Sequence, residues 1–438
     1  MSLFRADQSL THNSYYAATA QRGLHFPPLQ GSAECDVAIV GGGFAGLSAA
    51  IELADRGFSV VVLEARTLGF GASGRNGGQA LAGLACEQDE IERQLGLEAS
   101  RTVWNMTLEA IELIHARCRR FEIDCDWRAG YLSLATSARK ARELAQWHAR
   151  MQRDYGLQAT PIAPGEVRQW IASPRFHSGL HDPLSGHLHP LKYNLGLGRA
   201  AAALGVRIHE DTAVTALRAG ATTELSTAQG SVRARHVLLA GNVYLQGIAP
   251  LLESRIMPVG TYIVASAPLA PALARSLIPS QSAVCDTNFV LDYFRTTADH
   301  RVLYGGRVSY STITPTNLAE SMRTRMERTF PQLAGTQIDY AWGGFVDISM
   351  NRAPDFGRLA DLGAGKDYAN VYYLQGFSGH GLALTGLAGK LVAEAISGDA
   401  KRLDIFSRLQ HRKFPGGRLL RTPALVLGMT YYRLRDLL

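Results

Sequence analysis

Asp36-Val-Ala-Ile-Val-Gly-Gly-Gly-Phe-Ala-Gly46 is the stretch that decides the fold of this chain. It joins an apolar run to the pattern G-x-G-x-x-G, whose glycines allow a tight turn, close approach to a pyrophosphate and close helix–strand packing. Apolar residues then recur at helical spacing over residues 47–54, and Val60-Val-Val-Leu63 is typical of a second strand. Glu64 follows directly, where an acid accepts hydrogen bonds from a ribose. Strand, glycine turn, helix, strand and acid in this order predict a dinucleotide-binding unit.

Glycine-rich loops further along the chain indicate which dinucleotide is bound. Residues 235–242 predict a strand that runs into a glycine turn, and residues 370–375 predict a strand that leads to Gly376-Phe-Ser-Gly-His-Gly381 and a helix over 382–396. The start of that helix presents free N–H groups and a partial positive charge. A reduced flavin carries negative charge on its N1–C2=O edge, which such a dipole stabilises, whereas a nicotinamide has no such requirement. The pattern therefore favours FAD, and a loop that binds another anion or only packs is the alternative.

Motifs spread along the chain resemble the D-amino-acid oxidase superfamily of FAD enzymes, and within it the gamma-glutamylputrescine oxidases. The similarity runs from about residue 13 to the C-terminus. Its motifs are SYYAATA (14–20), GGGFAGLSAA (41–50), LGFGASGRNGGQ (68–79), SGHLHPL (185–191), AGNVYL (240–245), LDYFRTTADHRVLYGG (291–306), QGFSGHG (375–381), FPGGR (414–418) and a Tyr-Tyr-x-Leu-Arg-Asp ending (431–436). The resemblance implies an α/β fold in which a Rossmann-like FAD-binding domain of the GR2 type is interleaved with an antiparallel-sheet substrate domain. It places the FAD-binding domain at 34–108, 180–255 and 345–405, the substrate domain at 109–179 and 256–344, and a basic tail at 406–438.

The resemblance also implies a reaction. It implies FAD-dependent oxidation of the C–N bond of an amine by hydride transfer to flavin N5, giving an imine that hydrolyses to a carbonyl compound, with O2 reduced to H2O2. Gamma-glutamylputrescine or a related polyamine derivative is the expected substrate. Two alternatives stay open: a membrane-associated oxidase or dehydrogenase for L-pipecolate or another amino acid that feeds a quinone, and a non-catalytic flavin-binding sensor or partner subunit.

One departure from the family pattern bears on the substrate. Amino-acid-oxidising members often carry an arginine shortly after a W-x-G segment, where it binds the substrate carboxylate. Here residues 341–349 read AWGGFVDIS, without an arginine in that place, and Arg352 comes only later. Since bidentate carboxylate recognition favours arginine, this favours an amine whose reacting carbon has no adjacent carboxylate.

A hairpin is predicted to supply the substrate wall, with residues 296–300 as its turn and residues 302–307 as its return strand. Its first strand divides two sets of side chains between its faces: Phe289, Leu291, Tyr293 and Arg295 on one, and Asp292 and Phe294 on the other. Tyr293 with Trp342 would enclose an amine, and plain packing of the sheet is the alternative for each ring. Arg295 is expected to be a solvated arginine at the end of a strand, and contact with a carboxylate of the substrate is the alternative. The candidate catalytic residues are Tyr293, Trp342 and His380, and His380 is expected at the pyrimidine end of the flavin.

The candidate cofactor-binding residues share the loops that follow predicted strands. They are Gly41, Gly43, Phe44, Ala45, Gly46, Glu64, Ala65, Arg66, Gly71, Ala72, Ser73, Arg75, Asn76, Gly77, Gly78, Gln79, Val214, Gly241, Asn242, Gly376, Phe377, Ser378, Gly379, His380 and Gly381. Residues 73–78 contain neither His nor Cys, so FAD is expected to be bound non-covalently. No metal site is expected.

Composition is that of a folded catalytic protein: 438 residues, 46% hydrophobic and 19% charged. The five cysteines show no C-x-x-C spacing, so neither a disulfide framework nor a zinc site is expected. Residues 1–7 do not resemble a signal peptide and no 18-residue apolar segment occurs, which favours a cytoplasmic protein. Residues 401–438 hold nine Lys/Arg and two acids, an excess equal to the net charge of +7 of the whole chain. This tail predicts peripheral contact with the inner face of a membrane, binding of an acidic partner, or docking on the protein's own acidic surface, and no nucleic-acid module accompanies it.

Overall fold

Two β-sheets organise the chain in the computed structural model, which describes residues 7, 13–245, 247–288, 291–309 and 317–415. The strands are β1 Gly31–Val40, β2 Val60–Leu63, β3 Gln79–Ala80, β4 Arg128–Ala135, β5 Thr160–Ile162, β6 Ser178–His187, β7 Arg207–His209, β8 Val214–Arg218, β9 Thr223–Thr227, β10 Gly230–Leu239, β11 Ile256–Ser266, β12 Ala283–Asp286, β13 Tyr293–Thr296, β14 Val302–Ser309, β15 Ile338–Ser349, β16 Asp355–Arg358 and β17 Val371–Gln375.

Helices pack against strands of both sheets. They are α1 Tyr15–Thr19, α2 Phe44–Asp55, α3 Gln88–Leu95, α4 Leu97–Arg120, α5 Ala138–Tyr155, α6 Val167–Trp170, α7 Pro190–Ala203, α8 Pro250–Glu253, α9 Pro271–Leu277, α10 Leu318–Thr329, α11 Gly381–Ile396 and α12 Lys401–Ser407. Short 3-10 turns lie at Ala72–Gly74, Asn242–Tyr244, Pro331–Leu333, Leu359–Leu362 and Lys366–Tyr368.

The first sheet has the strand order β16-β17-β10-β1-β2-β7, with β9 pairing to β10 and β8 to β9. The five strands from β17 to β7 are mutually parallel, and β16 is antiparallel to β17. Alternate residues of β1 and β2 face opposite sides, and both sides are buried, which explains their unbroken apolar runs. The strands and helices predicted around Gly41, Glu64 and Gly376 are thus confirmed.

The glycine-rich helix α11 packs directly on α2. A Cβ placed on Gly389 would stand 2.7 Å from the amide nitrogen of Ala49, so the two backbones approach as closely as glycine permits. The Ser48 hydroxyl donates a hydrogen bond to the carbonyl of Gly386 across the same contact. Since α2 and α11 each begin at a loop that leaves a sheet strand, this packing fixes the two loops relative to each other.

The second sheet has the order β15-β11-β14-β13-β12-β4-β6-β3, with β5 on β6. Of its described pairings only β4 with β12 is parallel. The predicted hairpin is present as β13 and β14, although Phe289 lies outside the described residues. Strands β3 and β6 belong to this sheet, while their residues fall mainly in ranges assigned to the FAD-binding domain. The domain boundaries therefore stay a prediction.

The C-terminal segment packs against the edge strand β16 of the first sheet and is described as far as Pro415. Arg402 pairs with Glu394 at 3.1 Å and with Glu109, so this part of the basic segment docks on acids of the chain itself. The Phe414 N–H donates to the carbonyl of Ser254 at 2.9 Å. Residues 416–438, which contain Arg418, Arg421, Arg433 and Arg435, lie outside the described part. Within the described ranges, no helix combines the length and apolar character needed to cross a membrane.

Candidate active site

A cavity of about 1000 Å³ opens along the carboxyl ends of the parallel strands of the first sheet. Its wall includes the loops that follow β1, β2, β10 and β17, and continues onto the second sheet. Open parallel sheets bind their ligands at this edge, because loops from several strands converge there. The cavity is at the upper end of the size range of small-molecule sites.

The first glycine loop is shaped by backbone contacts that exclude side chains. Gly41 has φ +114°, and a Cβ there would lie 2.6 Å from the carbonyl oxygen of Ala240. A Cβ on Gly46 would overlap the carbonyl oxygen of Gly41, so Gly46 serves the close packing of helix on strand. Gly43 stands where α2 begins, and a Cβ there would come within 2.8 Å of Ser73 Oγ. The free amide end of α2 is therefore open to the cavity in the way a pyrophosphate requires.

Ser73 takes the place of the missing side-chain cap of α2. Gly43 has no side chain to cap the helix, and the Phe44 N–H donates to Ser73 Oγ at 3.0 Å instead. The hydroxyl thus couples the second glycine loop to the first and keeps its own proton for a ligand. The first turn of α2 presents N–H donors and contains no acidic residue. This arrangement fits the negatively charged pyrophosphate of a dinucleotide.

Glu64 is held by two backbone donors at the end of β2. Gly42 N–H donates to Oε2 at 2.7 Å and Arg66 N–H donates to Oε1 at 2.9 Å. Burial raises the pKa of this carboxyl above its ordinary value, while the two hydrogen bonds oppose the rise. Each oxygen keeps a further lone pair, so the side chain is able to accept from ribose hydroxyls in the adjoining cavity.

The loop at residues 75–78 is folded around its own side chains. Asn76 Nδ2 donates to the carbonyl of Ala72 at 2.9 Å and its Oδ1 accepts from Gly78 N–H at 2.8 Å. Arg75 is buried, forms an ion pair with Asp7 at 2.6 Å, and stacks over the ring of Phe70. Its guanidinium charge is therefore compensated before any ligand arrives.

Asp347 joins two of the loops that line the cavity, and no motif singled it out in the sequence. Its Oδ2 accepts from Gly376 N–H at 2.5 Å and from Phe377 N–H at 3.4 Å, and it bonds the Asn242 side chain. Asn242 and Ser378 both have φ +53°, a conformation that non-glycine residues rarely adopt. Burial raises the pKa of Asp347 to about 7. This carboxyl therefore holds both strained loops in place.

His380 lies at the start of α11 and lines the cavity as predicted. Its Nε2 lies 3.1 Å from the carbonyl oxygen of Ala82, which assigns the ring proton to that nitrogen. Burial lowers the pKa of His380, so the imidazole is neutral and adds no charge to the N-terminal dipole of the helix.

The second sheet provides a wall of neutral polar groups around Tyr293. The Tyr293 ring lies against Gly77, where a Cβ would stand 2.6 Å from Cε2, and against Gly305 on β14. Cys285 Sγ donates to Gln79 Oε1 at 3.0 Å and bonds Tyr131 as well. Burial raises the pKa of Cys285 to about 12 and raises the pKa of Tyr131 and of Tyr293 above their ordinary values, so these groups stay protonated and uncharged.

Tyr131 and Cys285 were missed by the sequence analysis. They come together only because β4 and β12 pair side by side, although some 150 residues separate them. Nothing local marks either residue, and a strand tyrosine or cysteine is usually a packing residue.

Two predictions for this wall are wrong. Trp342 does not line the cavity formed by the described residues; it is 1% exposed, and its Nε1 donates to the carbonyl of Arg75 at 3.0 Å from behind the loop. Arg295 is not solvated but 3% exposed. It donates to the carbonyls of Gly77 at 2.9 Å and Leu188 at 3.0 Å. Both side chains support the loop at 75–78 rather than a substrate.

The other predicted cofactor residues divide into two groups. Most line the cavity, including Val214 and Gly241 at one end and Phe377, Ser378, Gly379 and Gly381 at the other. Four do not: Gly46, Arg66, Gly78 and Gly376. They shape the backbone instead, as when the Arg66 N–H anchors Glu64 or Gly78 passes close under the carbonyl of Leu188.

A family model for FAD-dependent oxidoreductases, DAO, matches residues 36–395. The chain belongs to the DAO family of FAD-dependent oxidoreductases. The predicted cofactor, FAD, is thereby confirmed, and the donor set and glycine contacts described above fit it. Gamma-glutamylputrescine oxidoreductase of Escherichia coli is 43% identical over 97% of this chain and 98% of its own length. A probable oxidoreductase, OrdL, of Haemophilus influenzae is 40% identical over 97% of both chains.

Solved structures of other members of the DAO family share the fold. Glycine oxidase from Geobacillus kaustophilus has a TM-score of 0.72 at 22% identity, covering 87% of this chain and 100% of its own. L-proline dehydrogenase from P. horikoshii has a TM-score of 0.70 at 21% identity, covering 87% and 98%. These likenesses confirm the predicted fold class.

Proposed function

We propose that this DAO-family enzyme oxidises the C–N bond of gamma-glutamylputrescine or a related polyamine derivative in the cytoplasm, giving an imine and then an aldehyde, with O2 reduced to H2O2. The relative named gamma-glutamylputrescine oxidoreductase, at 43% identity along nearly the whole chain, supports this choice of substrate.

The observation that carries the proposal is the neutral wall around Tyr293. Tyr131, Cys285 and Gln79 offer hydrogen bonds without charge, and the nearest strand arginine, Arg295, is committed to backbone carbonyls. An α-amino acid would bring a carboxylate next to its reacting carbon, and these three uncharged groups do not neutralise it. Among the described residues, Arg75 and Arg352 also line the cavity, and Arg75 is already paired with Asp7. An amine carbon with only hydrogen and methylene neighbours meets no such mismatch.

Bound FAD supplies the hydride acceptor for this chemistry. The residues of the chain have a different task, which is to favour the unprotonated amine. A wall made of buried, uncharged groups disfavours an ammonium ion, because the ion loses its hydration there without gaining a charged partner. The protonated Tyr131, Tyr293 and Cys285 are suited to orient the neutral amine nitrogen by hydrogen bonds. No dedicated protein base is needed once the amine is neutral.

The proposal is tested by oxygen consumption with product analysis. The purified enzyme is given gamma-glutamylputrescine, putrescine, spermidine, pipecolate, proline, sarcosine and glycine in separate runs. We expect rapid oxygen uptake, H2O2 and an aldehyde with the glutamylated or free polyamines. Turnover of pipecolate or proline alone would overturn the proposed substrate. Turnover only with a quinone would overturn O2 as the proposed acceptor.

A further inference from the structure

Two cysteine thiols lie next to each other at the end of α4. Cys118 is on the last turn of the helix and Cys125 lies seven residues later, after a loop in which Glu122 turns the backbone at φ +51°. Their sulfur atoms are 3.6 Å apart. A disulfide needs about 2.05 Å, so the two sulfur atoms must approach each other by roughly 1.5 Å for the bond to form.

The two thiols differ in exposure and in acidity. Cys118 is half-buried, whereas Cys125 is 2% exposed and belongs to the core. A hydrogen bond from the Cys125 thiol lowers the pKa of Cys118, and the same contact together with burial raises the pKa of Cys125. The thiolate is the nucleophile towards peroxide, so the accessible member is also the more reactive one.

We infer that Cys118 and Cys125 form a peroxide-reactive pair that closes reversibly to an intramolecular disulfide. The Cys118 thiolate attacks one oxygen of H2O2, the O–O bond breaks, and the departing hydroxide takes a proton to become water. Cys125 sulfur then attacks the sulfenic sulfur, and the S–O bond breaks. The leaving hydroxide takes the Cys125 proton. Two thiols and one H2O2 thus give one disulfide and two waters.

The inference rests on the proposed function only for the origin of the peroxide, because an amine oxidase would release H2O2 beside its own surface. A disulfide that forms and is reduced again suits a reducing compartment, where persistent bridges are rare. Closure would also protect Cys118 from the irreversible sulfinic state, since Cys125 is in place to resolve it.

Added H2O2 tests the pair without any amine substrate. The reduced holoenzyme is treated with a small excess of H2O2, alkylated without reductant and digested with trypsin. Cleavage after Arg117, Arg119 and Arg128 releases the two cysteines on separate peptides. We expect a linked species two hydrogens lighter than the sum of the peptides, lost after treatment with dithiothreitol. Peroxide that consumes other thiols while both cysteines stay alkylated would overturn the inference.

Substitutions sharpen the result. Cys125→Ser should leave Cys118 to progress to sulfinic acid, and Cys118→Ser should leave Cys125 unmodified at the same dose. Cys35→Ser is the matched control, because Cys35 is also half-buried, and closure should proceed in it as in the wild type. Because the peroxide is added from outside, the disulfide should form even if the protein does not oxidise the proposed amine. If no disulfide forms, the proposed substrate is not affected by that result.

Discussion

Glu64→Ala should weaken FAD binding by roughly a hundredfold. The substitution removes a charged acceptor for ribose hydroxyls, worth ~1.5–3 kcal/mol. It also leaves the Gly42 and Arg66 N–H groups without their acceptors at 2.7 and 2.9 Å once FAD covers them. We therefore expect a loss of about 3 kcal/mol, and each 1.4 kcal/mol is tenfold in Kd.

The measurement is titration of the apoprotein with FAD, followed by the quenching of flavin fluorescence. Glu64→Gln keeps a neutral acceptor and should lose only about 1 kcal/mol, or roughly fivefold in Kd. Glu34→Ala is the matched control, because Glu34 on β1 is exposed and pairs with Arg233 at the surface. An unchanged Kd in Glu64→Ala would refute the assignment of this carboxylate to the ribose.

Lowering the pH should reduce the FAD affinity of the wild type as the substitution Glu64→Gln does. Burial raises the pKa of Glu64, so the carboxylate takes up a proton at a higher pH than an exposed glutamate would. As the pH falls through that raised pKa, the wild type should lose FAD affinity, while Glu64→Gln should stay flat over the same window. Parallel pH profiles for the two proteins would place the titrating group elsewhere.

Three other substitutions probe the remaining parts of the site. Tyr293→Ala should slow flavin reduction by the amine roughly tenfold or more and spare FAD content, measured by anaerobic stopped-flow; unchanged kinetics would remove Tyr293 from the site. Asp347→Asn should flatten the pH dependence of stability. With its pKa raised from 3.8 to about 7, the native carboxyl favours folding at low pH, and that gain is lost as pH rises between these values. Urea unfolding should show a wild-type slope of up to ~1.4 kcal/mol per pH unit in that window that the variant lacks. Arg295→Met should lower the unfolding free energy by about 2–4 kcal/mol, because buried carbonyls lose their donor, without changing the ranking of amines; a changed ranking would mean that Arg295 reads the substrate.

The FAD-binding half of the site was predictable because its signals are local. Gly41, Gly43 and Gly46 recur at fixed spacing within one strand–turn–helix unit, although Gly41 and Gly43 also meet Ala240 and Ser73 from outside it. Glu64 follows the next strand directly. Short-range geometry of this kind appears in the sequence as spacing. The loop at 376–381 was equally readable, since a strand, glycines and a helix follow one another.

The substrate half depended on pairing between distant strands. Sequence alternation placed Tyr293 and Arg295 on one face, yet only the fold shows that one meets the cavity and the other meets buried carbonyls. Trp342 carries the aromatic signal of a wall residue, but its indole N–H is used from behind the loop. Asp347 carried no signal at all, because its partners are distant in sequence: the backbone amides of Gly376 and Phe377 in the loop after β17 and the side chain of Asn242.

The most direct test of the central claim is anaerobic mixing of the yellow holoenzyme with gamma-glutamylputrescine, with pipecolate as the comparison. Flavin absorbance is followed before air is readmitted. The account predicts rapid bleaching by gamma-glutamylputrescine, little by pipecolate, and recovery of the colour with H2O2 once oxygen returns. Bleaching by pipecolate alone would contradict it. So would the absence of bleaching with both compounds and with every other amine tested.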